Sequence, residues 1–199
     1  MISRWVRTWH SAVLRPVLEY LARLGIKANM LTVASLCTAI LAGVSIAFGQ
    51  TILGAWIILL AGFFDSLDGE LSRVTGTNSP FGGFLDSICD HCGDFAVYLG
   101  LLLLALQNNT VNQIVLIFIA AFASVFGSHV RSRAGMVGID IKTIGIFTRA
   151  ERNLVLIIGI LIGQMTIALW VLAIFNSFSA LQRIIHTIRS SGTNHGMSS

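Results

Sequence analysis

Long apolar stretches separated by short polar connections dominate the pattern of hydrophobic and polar positions along the chain. A helix that crosses the hydrocarbon core of a bilayer needs roughly 20 mainly apolar residues. Six stretches meet this criterion or approach it. They run from Leu31 to Phe48, Ile52 to about Leu71, Gly83 to Leu106, Val111 to Val130, Leu154 to about Ile167, and Trp170 to Ile188. The pattern therefore predicts an all-α integral membrane protein with six transmembrane helices.

The fifth predicted span is the shortest. Gly163, Gln164 and Met165 suit a turn, so this helix would be short unless it begins near Arg149. The other five spans end at polar or charged residues.

Apolar residues also recur at helical spacing before the first span, among several arginines. They are Trp5, Val6, Val13, Leu14, Val17, Leu18, Leu21 and Leu24. This pattern predicts an N-terminal amphipathic helix at the membrane interface, over residues 1–26. Residues 27–189 would form the six-helix domain. Residues 190–199 are polar and rich in glycine and serine, which predicts a disordered tail.

Composition and charge agree with a membrane location. The 199 residues are 55% hydrophobic and only 11% charged, which excludes an ordinary soluble domain. Connections 49–51, 107–110 and 163–166 carry no charge, whereas all 13 Lys and Arg residues lie toward the opposite side. The positive-inside rule then places both termini in the cytoplasm. The net charge of +4 indicates contact with anionic membrane lipids, and no basic tract with interleaved aromatic residues indicates nucleic-acid binding.

Four carboxylates lie near the cytoplasmic ends of the second and third spans. Asp65 and Asp68 are three residues apart, and Asp86 and Asp90 are four apart, so each pair shares one helix face. An ionisable side chain at membrane depth costs roughly 2.5 to 3.5 kcal/mol on insertion scales. Four such groups therefore indicate a functional site that holds divalent cations.

The residue types narrow the chemistry of this site. Carboxylate ligands without histidine or thiolate favour Mg²⁺, Mn²⁺ or Ca²⁺ over zinc. Mg²⁺ usually binds a few carboxylates together with substrate phosphate, which indicates a phosphate-bearing substrate. Gly69 and Ser72 leave room for a ligand beside the helix, and Arg73 suits a phosphate contact.

The complete pattern is D-x2-D-G-x2-[A/S]-R-x8-G-x3-D-x3-D, from Asp65 to Asp90. It resembles the signature of the CDP-alcohol phosphotransferases, integral membrane enzymes with six transmembrane helices that usually form homodimers. The resemblance extends over nearly the whole chain, from Leu24 to Arg183. Ser72 stands where the family usually has alanine, and both residues are small.

The resemblance implies specific roles for the motif residues. The family's ligands for two Mg²⁺ ions, or Mn²⁺, match Asp65, Asp68, Asp86 and Asp90. Asp90 also matches the proposed base for the acceptor hydroxyl. The positions that bind CDP match Asp68, Gly69, Ser72 and Arg73. The implied reaction transfers a phosphatidyl or archaetidyl group from a CDP-linked lipid to a small alcohol or alcohol phosphate, with release of CMP.

A second basic group suggests the acceptor. The chain resembles the subgroup that uses inositol 1-phosphate, in which the positions around the acceptor phosphate match Arg131, Arg133, Arg152 and Arg183. Gly135 departs from this subgroup, where glutamate is frequent. Glycerol 3-phosphate, the substrate of phosphatidylglycerophosphate synthases, is therefore the alternative acceptor. The positive-inside rule alone also accounts for arginines at this face.

Two other functions fit some of these features. A divalent-cation transporter would use intramembrane aspartates, but they should then be spread along a pathway. A catalytically inactive adaptor should have lost part of the motif, which is complete here. We expect a multi-pass enzyme of a prokaryotic plasma membrane, with its active site facing the cytoplasm.

Overall fold

The computed structural model describes residues 16–139, 141 and 147–195, with side chains as far as residue 190. Helices joined by turns and short connections make up this part of the chain, which contains no strand. They are α1 (16–23), α2 (Ala28–Ala47), α3 (Thr51–Val74), α4 (Pro80–Gln107), α5 (Val111–Met136), α6 (Arg149–Leu161) and α7 (Met165–His195). The all-α fold class predicted from the sequence is confirmed.

Five of the helices in the described ranges are long and apolar enough to cross a membrane. They are α2, α3, α4, α5 and the part of α7 over Met165–Ser190. Helix α6 corresponds to the fifth predicted span, but it begins at Arg149 and contains only 13 residues. At 1.5 Å per residue it is about 20 Å long, compared with roughly 30 Å for a hydrocarbon core. The count of six spans therefore stays a prediction.

Turns of three residues join α2 to α3, α4 to α5 and α6 to α7. Gly49 and Gly163 lie in two of these turns with φ of +80° and +70°, a conformation that favours glycine. These turns coincide with the three uncharged connections. They bring successive helices back antiparallel, so the α3–α4 connection and the acidic motif lie at the opposite end of the bundle.

Helix α2 packs against both α3 and α4, whereas α3 and α4 make no direct backbone packing contact in the described structure. Small residues allow α2 and α4 to approach closely. A Cβ atom added to Gly100 would collide with the backbone of Gly43, and one added to Gly43 would collide with that of Ala96. Helix α2 thus sets the spacing of α3 and α4 and leaves space between them for the acidic side chains.

The remaining helices complete the bundle. Helix α5 packs against α7, and α6 lies against both α3 and α7. Asn176 of α7 donates a hydrogen bond of 3.1 Å to the carbonyl oxygen of Ala120 of α5. The main apolar core takes side chains from all helices from α2 to α7. A smaller cluster of Leu18, Leu31, Leu67 and Leu71 attaches α1 to α2 and α3.

The predicted terminal segments are described only in part. Within the predicted amphipathic helix, residues 16–23 are helical and Leu18 is 1% exposed, whereas residues 1–15 lie outside the described residues. Helix α7 continues to His195, so its helical backbone extends into the segment 190–199. Residues 196–199 lie outside the described residues.

Candidate active site

Three carboxylates converge in the space between α3 and α4. Asp65, Asp68 and Asp86 each offer an oxygen atom, and these oxygens lie within 4.8 Å of one another. We call these three residues the carboxylate triad. Asp65 and Asp68 are one helical turn apart on α3, and Asp86 lies opposite them on α4. The structure thus brings together three of the four ligands expected from the sequence.

The triad fits a hard divalent cation. Asp68 is only 6% exposed, and its Oδ2 atom has no hydrogen-bond partner in the described structure. A buried carboxylate oxygen without a partner is costly, and coordination of a cation would remove that cost. Three carboxylate donors suit Mg²⁺ or Mn²⁺ better than zinc.

Asp90 lies one turn beyond Asp86 on α4, but it is not part of the triad. Its Oδ1 atom accepts a hydrogen bond from Nη1 of Arg149 in a close ion pair. The same nitrogen donates to Oδ1 of Asp65 at 2.8 Å. The fourth carboxylate of the motif is therefore held by a guanidinium in this structure.

Arg149 and Asp94 are two residues of this site that the sequence analysis did not assign. Nε of Arg149 donates to Oδ1 of Asp94 at 3.1 Å, and the two side chains are 19% and 10% exposed. Asp94 follows Asp90 by four residues, so extending the acidic face by one helical turn would have identified it. No local signal identifies Arg149, because its partners are 55 to 84 residues away in the chain.

A capping box fixes the start of α6. The side chain of Thr148 accepts a hydrogen bond from the backbone N–H of Glu151, and the Glu151 carboxylate accepts one from the backbone N–H of Thr148. Helix α6 therefore begins at Arg149, and Arg152 lies one turn later. Nη2 of Arg152 donates to Oδ2 of Asp94 at 2.7 Å. Asp94 thus binds one arginine with each carboxylate oxygen.

A cavity of about 560 Å³, called the polar cavity because many of its lining residues are polar or charged, opens on one side of the triad. All four candidate residues for CDP binding line it, namely Asp68, Gly69, Ser72 and Arg73. Ser72 donates a hydrogen bond of 3.0 Å to the carbonyl oxygen of Gly69, and Arg73 is 61% exposed and forms a 2.8 Å ion pair with Glu70. Asp86 and the N-terminal end of α2 complete the wall.

An apolar groove of about 700 Å³ runs between α3 and α6. Trp56, Leu60, Phe63, Leu154 and Ile157 are among its apolar lining residues. Asp65 and Arg149 also line it. The triad therefore lies between two cavities, because Asp68 and Asp86 face the polar one and Asp65 faces the apolar one.

The four arginines expected at the acceptor phosphate differ in their surroundings. Arg131 and Arg152 lie close enough to Arg183 for their charges to repel its guanidinium. Arg183 donates to the carbonyl oxygen of Gly127 at 2.9 Å. Arg133 is exposed, and its Nη1 lies 3.8 Å from Sδ of Met136. Three of the arginines therefore form one basic group, and the fourth makes a separate local contact.

Comparison with known proteins decides the family. The family model for CDP-alcohol phosphatidyltransferase matches residues 26–187. The chain belongs to this family. The expectation from the sequence motif is confirmed, and the protein is a membrane-embedded phosphotransferase.

Two similar relatives carry closely related names. An archaetidylinositol phosphate synthase of Pyrococcus horikoshii is 35% identical over 164 residues, which cover 82% of this chain and 85% of the relative. A phosphatidylinositol phosphate synthase of Cutibacterium acnes is 32% identical over 164 residues, covering 80% and 77%.

Solved structures of a phosphatidylinositol phosphate synthase share the fold. The phosphatidylinositol phosphate synthase of Mycobacterium tuberculosis with CDP-DAG bound superposes with a TM-score of 0.80 at 24% identity, covering 86% of this chain and 92% of that one. Its complex with manganese and citrate gives a TM-score of 0.78 at 24% identity, covering 87% of each chain.

Proposed function

We propose that this enzyme transfers a phosphatidyl or archaetidyl group from a CDP-linked lipid to inositol 1-phosphate and releases CMP. The observation that carries the proposal is the position of the carboxylate triad between a polar cavity and an apolar groove. A CDP-linked lipid has a polar nucleotide, a pyrophosphate and apolar chains in the same order. The names of the relatives from Pyrococcus horikoshii and Cutibacterium acnes support inositol phosphate as the acceptor.

The CDP-linked lipid would bind in one orientation along the polar cavity, the triad and the apolar groove. The cytidine and its phosphate would occupy the polar cavity, where Gly69 and Ser72 leave room and Arg73 offers a guanidinium to a phosphate oxygen. The pyrophosphate would lie beside the triad. The lipid chains would leave along the groove between α3 and α6, whose wall is mainly apolar.

The reaction forms one bond to phosphorus and breaks another. The oxygen of the acceptor hydroxyl bonds to the phosphorus that carries the lipid, and the bond from that phosphorus to the bridging oxygen breaks. CMP leaves with the bonding electrons, and the hydroxyl proton passes to the carboxylate of Asp90. Mg²⁺ or Mn²⁺ held by Asp65, Asp68 and Asp86, with Asp90 near a second ion, would neutralise charge on the pyrophosphate. The chain supplies the orientation, because these carboxylates project from two helices fixed by α2.

The acceptor requires a cationic site near Asp90. Arg131 and Arg152 both repel the guanidinium of Arg183, and a phosphate group among them would supply negative charge. Arg152 shares Asp94 with Arg149, which pairs with Asp90, so the basic group and the proposed base are connected. We propose that Arg133, near the C-terminal end of α5, adds to the positive electrostatic potential of this group.

The charge pattern and the family resemblance support a proposal for orientation and assembly. The uncharged turns lie at one end of the bundle and the acidic motif with most described Arg and Lys residues at the other, which supports an active site facing the cytoplasm. We propose that the enzyme is a homodimer in a prokaryotic plasma membrane.

The decisive measurement is CMP release by purified protein. CDP-diacylglycerol is supplied with inositol 1-phosphate, glycerol 3-phosphate, inositol, glycerol or serine, each with and without Mg²⁺. We expect CMP release to require the cation and to be fastest with inositol 1-phosphate. Preference for glycerol 3-phosphate would correct the acceptor, and no CMP release with any alcohol would contradict the function.

Asp90→Asn tests the proposed base in the same assay. Asparagine has a similar shape but does not accept the proton, so we expect turnover to fall by at least roughly 100-fold. Arg23→Gln, on the exposed side of α1, should leave turnover unchanged. Full activity of Asp90→Asn would exclude Asp90 as the base.

A further inference from the structure

Arg149 has no role in the reaction described so far, although it contacts both the triad and the proposed base. Its Nη1 atom lies between Oδ1 of Asp65 on α3 and Oδ1 of Asp90 on α4. One nitrogen therefore fixes the relative position of a candidate metal ligand and the candidate base. These two residues belong to helices whose backbones make no close contact with each other in the described structure.

The guanidinium is held on its other side as well. Nε of Arg149 donates to Asp94, and the capping box of Thr148 and Glu151 fixes the backbone from which the side chain projects. A guanidinium is planar, so fixing Nε and Nη1 determines the orientation of the whole group. Asp94 and the capping box therefore hold the Arg149 side chain at atoms that Asp65 and Asp90 do not contact.

The neighbouring helix also leaves space for this group. A Cβ atom added to Gly93 of α4 would lie 3.4 Å from Nη2 of Arg149 and 3.1 Å from Cβ of Ala39. Glycine at this position lets the guanidinium lie against α4 while α2 packs close by. The site thus accommodates a planar cation between Asp90 and Asp94.

Repulsion among the carboxylates around Arg149 explains why this arginine would matter for the reaction. Asp65, Asp90 and Asp94 would repel one another without a cation between them, and a partly buried pair is screened less than an exposed one. Charge-assisted hydrogen bonds are about twice as strong as neutral ones. Loss of Arg149 would leave the three carboxylates free to separate, and Asp90 would move away from the acceptor hydroxyl.

We propose that Arg149 is a positioning residue for the transfer step. It holds the carboxylates of Asp65 on α3 and Asp90 on α4 in a fixed relative position. The role depends on the function proposed above, in which Asp90 accepts the hydroxyl proton. Arg149 acts through Asp90 and does not itself bind the donor phosphate. Asp94 supports it by fixing Nε.

Arg149→Gln and Arg149→Lys test this role in the full-length protein. A misplacement of about 1 Å costs on the order of 100-fold in rate, so Arg149→Gln should lower kcat about 100-fold with the KM for CDP-diacylglycerol nearly unchanged. Lysine keeps the positive charge but not the planar set of donors of a guanidinium. The kcat of Arg149→Lys should therefore be about tenfold higher than that of Arg149→Gln. Arg23→Gln is the matched control.

Binding of Mn²⁺ alone supplies a readout besides activity. Replacing the positively charged Arg149 by a neutral glutamine makes the site more negative. Arg149→Gln should therefore bind Mn²⁺ at least as tightly as the wild type. Slower turnover with undiminished Mn²⁺ binding and an unchanged thermal unfolding midpoint supports positioning. Loss of Mn²⁺ binding together with turnover indicates a purely structural role and overturns the proposal.

Other kinetic results would also decide whether Arg149 acts as a positioning residue. A raised KM for CDP-diacylglycerol at unchanged kcat would make Arg149 a phosphate ligand and overturn the proposal, as would wild-type kcat in Arg149→Gln. Asp94→Asn should lower kcat in the same direction but less, and the double variant with Arg149→Gln should lose less than the two single losses combined. A wild-type protein that releases no CMP would contradict the proposed function itself.

Discussion

Nη1 of Arg183 donates a hydrogen bond of 2.9 Å to the carbonyl oxygen of Gly127, which joins α7 to α5. A Cβ atom at Gly127 would lie only 3.2 Å from the same nitrogen, so glycine lets the guanidinium rest against the backbone of α5. Arg131 and Arg152 lie close enough for their charges to act on the guanidinium held in this way. The basic group therefore has a fixed member before any anion binds.

Replacing Arg183 should weaken acceptor binding selectively. A hydrogen bond to a charged group is worth about 1.5 to 3 kcal/mol, so Arg183→Ala should raise the KM for the phosphorylated acceptor roughly 10- to 100-fold. The KM for the CDP-linked lipid should change little. Both are measured by CMP release at varied substrate concentrations. Arg133→Ala should have a smaller effect, and equal increases in both KM values would count against the acceptor assignment.

Divalent cations should be required through the triad. Chelation with EDTA should abolish CMP release, and added Mg²⁺ or Mn²⁺ should restore it. Asp68→Asn removes a charge at the oxygen that has no protein partner, and we expect it to weaken Mn²⁺ binding and reduce activity at least about tenfold. Glu70→Gln is the control for Mn²⁺ binding, because Glu70 is a carboxylate of the same helix that is not part of the triad. Unchanged Mn²⁺ binding in Asp68→Asn would exclude the triad as the cation site.

The contact of α2 with α4 should tolerate no added methyl group. Gly100→Ala places a Cβ against the backbone of Gly43, and overpacking of this kind costs about 1 to 3 kcal/mol. Gly62→Ala on α3 meets nothing within 4 Å and is the matched control. Thermal unfolding in detergent should show a lower midpoint for Gly100→Ala only. Equal midpoints would mean that the two helices separate without cost.

The capping box at α6 should contribute to stability and to the placement of Arg149. Replacing an N-cap threonine by alanine costs about 1 kcal/mol, so Thr148→Ala should lower the unfolding midpoint. Thr148→Ser keeps the hydroxyl and should behave like the wild type. If kcat falls in the alanine variant and recovers in the serine variant, the start of α6 matters for turnover. No difference between the two would contradict this role.

Local sequence features identified most of the fold and much of the site. The apolar stretches predicted where α2, α3, α4, α5 and α7 lie, and the uncharged connections predicted the turns at 49, 109 and 163. The spacing of Asp65, Asp68 and Asp86 predicted their convergence, because helical periodicity and one short connection bring them together. The resemblance to the family rested on the motif that contains these residues, and the family model confirmed it.

Other features depend on contacts between distant segments. Arg149 became part of the site only because α6 packs against α3, which brings its side chain to Asp65 across 84 residues of sequence.

The sequence by itself determined the membrane location, the helices and the acidic motif, because hydrophobicity and helical period act over short distances along the chain. Only the tertiary structure decided which charges neutralise each other. Asp90 is paired with Arg149 and is not a member of the triad, and Arg152 and Arg149 share Asp94. Partner choice among charged side chains depends on the distances that helix packing creates, and these distances are not encoded in any single segment.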